Sequence, residues 1–248
     1  MVSKPVSSKL AVVVMLIIGS IGLARAQPLS RENIEWCDLW ITHANETRLP
    51  RVLLLGDSIA RGYDSEVEKR LAGVAYVNRL ATSAFITDPM LLKEIALVLD
   101  STKFEVIHFN NGMHGWQHSE EEYRQGFSAF LEVIRKHAPH AKLIWASTTA
   151  LKEPGGPAGD GAPITSEGAD RGKLMMQADL LRASDARIRA RNAIALELIA
   201  RENIPIDDLF ALTVGKPGLH SGSVHFNARG IALQADQVAA QIRKLLVP

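Results

Sequence analysis

From residue 51 onward, short, mainly apolar runs alternate with longer stretches in which apolar residues recur every three or four positions. Arg51 to Leu55, closed by Gly56, is one such run. Val74–Val77, Phe104–Phe109 and Ala141–Trp145 are three more, and a short fifth lies at Ile204–Ile206. Apolar runs this short, bounded by turn formers, suit strands buried on both faces of a parallel sheet. Between them, Phe127, Phe130, Leu131 and Ile134 keep the spacing of one buried helix face. Ile188, Ala195 and Ile199 form a similar stripe within Ser184–Ala200, for which Ser184 is a suitable cap. Ala228–Leu246 is helical in composition. Strands separated by helices imply right-handed βαβ units. The expected fold is α/β, a three-layer α/β/α sandwich around about five parallel strands, flavodoxin-like in layout.

Three segments stand outside this rhythm. Residues 1–26 carry Lys4 and Lys9, then an uncharged apolar stretch from Leu10 to Leu23, then Ala24-Arg25-Ala26. That order reads as a signal peptide cut after Ala26, so a periplasmic or secreted protein is expected. The apolar run is shorter than the roughly 20 residues of a spanning helix, so no stable membrane insertion is expected after cleavage. Residues 27–49 form a polar lead-in to a domain over 50–248, with Trp36 and Trp40 as expected packing anchors. Residues 152–172 hold six glycines and three prolines and read as a flexible loop at the carboxyl edge of the sheet. Such a loop is either a surface insertion or a cover over a site.

Composition excludes some classes. The formal net charge is +1, without the basic stripe of a nucleic-acid-binding surface. Cys37 is the only cysteine, so an intrachain disulfide is ruled out despite the expected export. Beside two tryptophans it is expected to be a small buried apolar residue.

Three clusters carry candidate chemistry. Gly56-Asp57-Ser58-Ile59 ends the first strand and opens a helix, which lifts a hydroxyl clear of the sheet at a helix N-terminus. Taken alone, it reads first as a helix cap, because such caps are common. Val224-His225-Phe226-Asn227 precedes the last helix, and a late loop histidine can activate a serine. Phe109-Asn110-Asn111-Gly112-Met113-His114-Gly115-Trp116 follows the third strand, and polar groups at a strand end suit oxyanion donors. Taken together, these clusters resemble the SGNH (GDSL-like) hydrolase superfamily over roughly residues 51–246. Gly56-Asp57-Ser58 is similar to its first block and Val224-His225-Phe226 to its last. The resemblance implies Ser58 as nucleophile and His225 as base in ester hydrolysis through an acyl-enzyme. Its oxyanion donors would be the Ser58 N–H, the N–H of Ser83, and Asn111 or His114. Asp57 and Trp116 are weaker candidates for substrate contact, and Tyr123 for stacking on a sugar.

The sequence departs from that pattern at three places. Ser83 stands where the second block has Gly, and His114 where the third block has Asn. Gly222 stands three residues before His225, where the family usually has the triad Asp, and residues 209–224 contain no carboxylate. Disabling that acid costs about 10⁴ in rate in a serine protease. Three arrangements remain open: a Ser58–His225 dyad, which is preferred; a substitute carboxylate such as Asp207 or Asp208; or a crippled enzyme. The missing acid also motivates a carbohydrate-binding protein on the same fold, and an acyltransferase is a third alternative. His108, His114 and His118 lack metal-motif spacing, and no Walker-type phosphate loop occurs, so no metal or cofactor is implied. The expected substrate is a small-molecule or glycan ester, with O-acyl groups on carbohydrate the leading class; sequence alone leaves oligomeric state open.

Overall fold

The computed structural model describes residues 30–152 and 183–246. The expected signal peptide, and all of the expected 152–172 loop except Lys152, lie outside the described residues. In chain order the elements are β1 (Cys37–Trp40), β2 (Arg51–Gly56), α1 (Ser58–Arg70), β3 (Tyr76–Thr82), α2 (Pro89–Ser101), β4 (Val106–Phe109) and α3 (Glu120–His137). They continue with β5 (Lys142–Ala146), α4 (Asp185–Arg201), β6 (Ile206–Asp207), α5 (Leu209–Thr213) and α6 (Ala228–Leu246).

The strand order is β1-β3-β2-β4-β5-β6. Strands β2 to β6 are parallel, and β1 adds an antiparallel edge. Without β1, the order is that of the flavodoxin-like doubly wound sheet, as expected. Its winding reverses between β2 and β4, and open sheets of this kind bind ligands outside the carboxyl ends of the strands at that point.

The period of two along a strand divides the core. On β2, Val52 and Leu54 pack on one face with Ile59, Tyr63 and Val67 of α1 and Val238 and Ile242 of α6. Leu53 and Leu55 face the other way, toward Ile95 of α2, Phe127 and Phe130 of α3, and Ile199 of α4. Each fully buried Leu contributes about 1.5–3 kcal/mol, so β2 is the best-anchored strand and fixes Gly56 and Ser58 at its end. The helix stripes expected in α3 and α4 are buried, and the Ser184 side chain caps α4 by accepting from the Arg187 N–H.

Four expectations need correction. β1 lies inside the polar lead-in, where no apolar period announces it. It is held as an edge by pairing with β3, Cys37 opposite Thr82. Trp40 on it is 60% exposed and so anchors nothing. Cys37 is exposed rather than buried. Its thiol is nonetheless pushed up to about 12 by lost hydration and by Glu94, which disfavours the nucleophilic thiolate at neutral pH. The strand expected at 74–77 runs instead from Tyr76 to Thr82. Its polar members are satisfied there: Asn78 donates to the Val52 and Tyr76 carbonyls, and Arg79 pairs with Asp38 and Asp64.

Candidate active site

The segments leaving β2 and β4 run side by side. Leu55 is in register with Phe109, and the Asn110 N–H donates to the Leu55 carbonyl at 2.9 Å. This brings the 56–58 and 110–116 clusters to one edge of the sheet at the point where the winding reverses. Asp57 is the N-cap of α1 and accepts from the Ile59 N–H at 2.8 Å, so Ser58 is the first helical residue. Its amide belongs to the first turn of α1, where N–H groups lack intrahelical acceptors.

The loop before α6 delivers the third cluster. The Ser221 N–H donates to the His225 carbonyl at 3.0 Å, closing a turn over residues 221–225. His225 Nε2 then lies 2.9 Å from Ser58 Oγ. The His225 residue is exposed and Ser58 half-buried, so both can be reached from solvent. The pKa of His225 is lowered, chiefly by lost hydration; Asp57 opposes this, while His114 and Arg61 add to it. A neutral imidazole with Nε2 as acceptor is the form that can take the serine proton.

No protein-family model matches the sequence, and no curated protein matches it. Solved structures do match. One is a GDSL-like lipase from Bacteroides thetaiotaomicron VPI-5482, at 13% identity and a TM-score of 0.56, covering 79% of this chain and 87% of that one. An acetyl xylan esterase matches at 16% identity and a TM-score of 0.55, covering 77% and 99%. The lipase/acylhydrolase from Enterococcus faecalis matches at 19% identity and a TM-score of 0.53, covering 80% and 98%. The chain has the SGNH hydrolase fold.

On this SGNH frame the remaining candidates divide. His114 is brought in: it follows β4, and its charge is felt at His225. Its Nδ1 lies 2.9 Å from Glu32 Oε2, while its buried Nε2 has no hydrogen-bond partner. Asn111 is tied elsewhere, its amide donating to the Ala84 carbonyl at 3.0 Å. The Ser83 N–H is also engaged, donating to the Trp36 carbonyl at 3.0 Å because the lead-in pairs along the end of β3. The single Ser83 N–H is therefore committed, which corrects the expectation for it, while the Asn111 amide has one of its two N–H groups committed to Ala84.

Asp57, Trp116 and Tyr123 also need correction as substrate contacts. Asp57 is 3% exposed and serves as the cap of α1. Trp116 is 1% exposed, with the Arg191 guanidinium 4.1 Å from its ring centre. Tyr123 is fully buried, so neither ring offers a platform for a sugar.

The substitute acids are also accounted for. Asp207 lies 2.9 Å from His108 Nε2 and accepts from Gln237 at 2.7 Å. Asp208 accepts from Ser147 Oγ and from the Ala211 N–H. Among the described residues no carboxylate hydrogen-bonds His225, which leaves Ser58 and His225 as a pair. The histidines considered for a metal each have their own carboxylate: His108 has Asp207, His114 has Glu32 and His118 has Glu122.

Two important residues escaped the sequence reading. Glu32 sits in a polar lead-in that shows no pattern at all. Arg191 is completely buried and donates to the carbonyls of Gly112, His114 and Gly115 at 2.6–3.0 Å. A signal for it existed: Arg191 lies three after Ile188 and four before Ala195, squarely on the apolar stripe of α4.

Proposed function

We propose that this protein is an exported serine esterase that hydrolyses carboxylic esters through a Ser58 acyl-enzyme. The observation that carries the reading is the 2.9 Å contact of Ser58 Oγ with His225 Nε2, at the sheet edge where such folds bind ligands. Ser58 attacks the ester carbonyl while His225 Nε2 takes its proton. The tetrahedral oxyanion lies against the Ser58 N–H, favoured by the α1 N-terminus, and against the His114 side chain. His225 then protonates the leaving alcohol, and a water molecule activated by the same imidazole releases the acid. Without an acid on His225, the imidazole depends on the turn at 221–225 for its orientation.

O-acyl groups on carbohydrate are the proposed substrate class. The acetyl xylan esterase and a carbohydrate esterase from Talaromyces cellulolyticus share the fold at TM-scores of 0.55. Export is supported by the signal-peptide pattern of residues 1–26. Among the described residues no helix is long and apolar enough to cross a membrane.

Intact-mass analysis after treatment with a fluorophosphonate tests the reading. An adduct is expected on the wild type, mapped to Ser58, and none on Ser58→Ala. Acetate release from acetylated xylan should disappear in the same variant. A folded wild-type protein that forms no adduct overturns the esterase reading in favour of a binding protein, the alternative motivated by the absent acid. Transfer of acetyl to an added sugar, rather than release of acetate, would instead mark an acyltransferase.

A further inference from the structure

The mechanism above uses one side of His114 and leaves the other unexplained. Its Nδ1 meets Glu32 Oε2 at 2.9 Å, and the second oxygen of the same carboxylate accepts from the Gly115 N–H at 2.8 Å. Glu32 thus holds both the ring and the backbone beside it, and it is itself buried, with 8% of its side chain exposed. The Arg191 guanidinium takes the His114 carbonyl at 2.6 Å from behind. A residue merely filling space has no need of three such tethers. The remaining polar atom, Nε2, is buried without a partner in a residue only 8% exposed. A buried polar group left without a partner is costly, and such groups recur where a site awaits its substrate.

The tautomer follows from Glu32. A carboxylate only accepts, so Nδ1 carries a proton. A neutral ring would then present a bare lone pair at Nε2, which repels an oxyanion. Only the imidazolium presents N–H at both nitrogens. We propose that Glu32 and His114 form a buried carboxylate–imidazolium pair in which His114 Nε2–H is a charged oxyanion donor and Glu32 is the residue that positions it. This inference rests on the Ser58–His225 reading of the site. The proton stays on Nε2 throughout, and no bond forms to His114.

The charges around the ring favour this form. Burial lowers the pKa of His114, but the hydrogen bond and charge of Glu32, together with Asp57 and Glu35, outweigh it and leave the pKa raised. The cationic or titratable neighbours on the other elements are His225, Arg191, whose guanidinium meets the His114 carbonyl, and Arg61, which lies over the Trp36 ring that meets His114 edge-on. The two histidines of the site are thereby driven apart. His225 is held toward the neutral form partly by the charge of His114, and His114 toward the cation. Titratable groups whose environments separate their pKa values are the mark of divided acid and base roles.

The test combines pH profiles of kcat and KM for p-nitrophenyl acetate with ¹⁵N NMR of the histidines. Wild type should show His114 protonated across the active range and a kcat that falls as pH rises through its pKa. His114→Ala should lose about 10²- to 10³-fold in kcat with KM little changed, as for other oxyanion donors. His114→Asn, which supplies an uncharged amide donor, should recover most of that loss and abolish the falling limb. Glu32→Gln keeps an oxygen for the Gly115 N–H and offers an N–H to Nδ1, which makes Nε2–H a neutral donor. It should lower kcat about tenfold and remove the falling limb, because charged donors are roughly twice as strong as neutral ones. In the His114→Asn background the same change should leave kcat unaltered.

A neutral His114 in the active range overturns the proposal, and so does a falling limb that survives His114→Asn. A Glu32→Gln effect of equal size in both backgrounds would reduce Glu32 to a structural strut. The NMR titration of wild type decides the matter even if a variant fails to fold. Fluorophosphonate labelling separates the two failures: no adduct on wild type sinks the esterase reading, whereas an adduct with kinetics indifferent to Glu32 and His114 sinks only this pairing.

Discussion

At the residue scale, the proposed base, His225, stands without a carboxylate hydrogen-bonded to it among the described residues. His225 is held by geometry: a turn whose amides at Ser221 and Gly222 point to its own carbonyl, and a contact to Ser58. The turn also offers a repair. A Cβ added at Gly222 meets nothing within 4 Å, and this is where the resemblance implies an Asp. Gly222→Asp should therefore fold normally and place a carboxylate beside the imidazole. An opposite charge nearby stabilises the imidazolium, so the rising limb of kcat/KM should move to higher pH. In wild type that limb should lie below the ordinary histidine value of about 6.5, because His225 is lowered. kcat should rise at least about tenfold, a fraction of the 10⁴ that the acid contributes in a serine protease. A variant with unchanged kcat and an unmoved limb would show that the turn already does the orienting. Ser58 and His225 stood out in the sequence through the resemblance of Gly56-Asp57-Ser58 and Val224-His225-Phe226 to the first and last SGNH blocks, not through any apolar period. The fates of Asn111 and Ser83 were not legible, since they depend on carbonyls contributed by residues 27 and 47 positions away.

At the element scale, the loop after β4 is held from two sides. Arg191 of α4 reaches three of its carbonyls, and Gly115 closes it at φ +69 with Phe85 packed against the missing side chain. Only a residue tolerant of positive φ, and without a Cβ to strike Phe85, fits there. The arginine is expensive to bury, and desolvation lowers its pKa to about 10, yet it remains a cation at neutral pH. Replacing it with Met, which has similar length and no donors, recovers that desolvation cost but strands the carbonyls of residues 112, 114 and 115. Unsatisfied buried groups cost about 1–3 kcal/mol each, so the net loss should be about 2 kcal/mol in urea unfolding. Activity should fall as well, because the His114 backbone loses its tether. Full activity with unchanged stability would show that the loop holds its shape without the clamp. Strands β2, β4 and β5 were readable as short apolar runs, helices α3 and α4 by their apolar stripes, and α6 by its composition. The interior length of β3 was not, because Asn78 and Arg79 interrupt its pattern and are satisfied only by tertiary partners.

At the scale of the whole molecule, the residues preceding the sheet brace the loop that carries the candidate site. Arg31 pairs with Asp88 at 2.7 Å, and the Ser30 carbonyl accepts from Gln117 and His118. Glu32 holds His114 and Gly115, Glu35 accepts from Ser83 Oγ at 2.8 Å, and Trp36 meets the end of β3. The segment thus crosses from α2 to the loop after β4 and then joins the sheet as β1. None of this could be read from periodicity, because its contacts are made by polar side chains to distant loops rather than by an apolar face. A chain trimmed to begin at Trp36 should keep β1 and the sheet but lose these ties. The exposed Arg31–Asp88 pair contributes about 0–1 kcal/mol and the buried Glu32 bonds more, for a combined loss of about 3 kcal/mol. For a domain of this size that is a fall in Tm of about 6–12 °C. Arg31→Ala alone should cost less than about 1 kcal/mol and leave kcat intact. The trimmed chain should instead lose kcat as His114→Ala does, since the ring is then free to turn and to shed its proton. Differential scanning calorimetry and kcat on the three proteins decide it. If trimming costs stability but spares kcat, the segment is only a brace; if it spares both, the segment contributes nothing to fold or site.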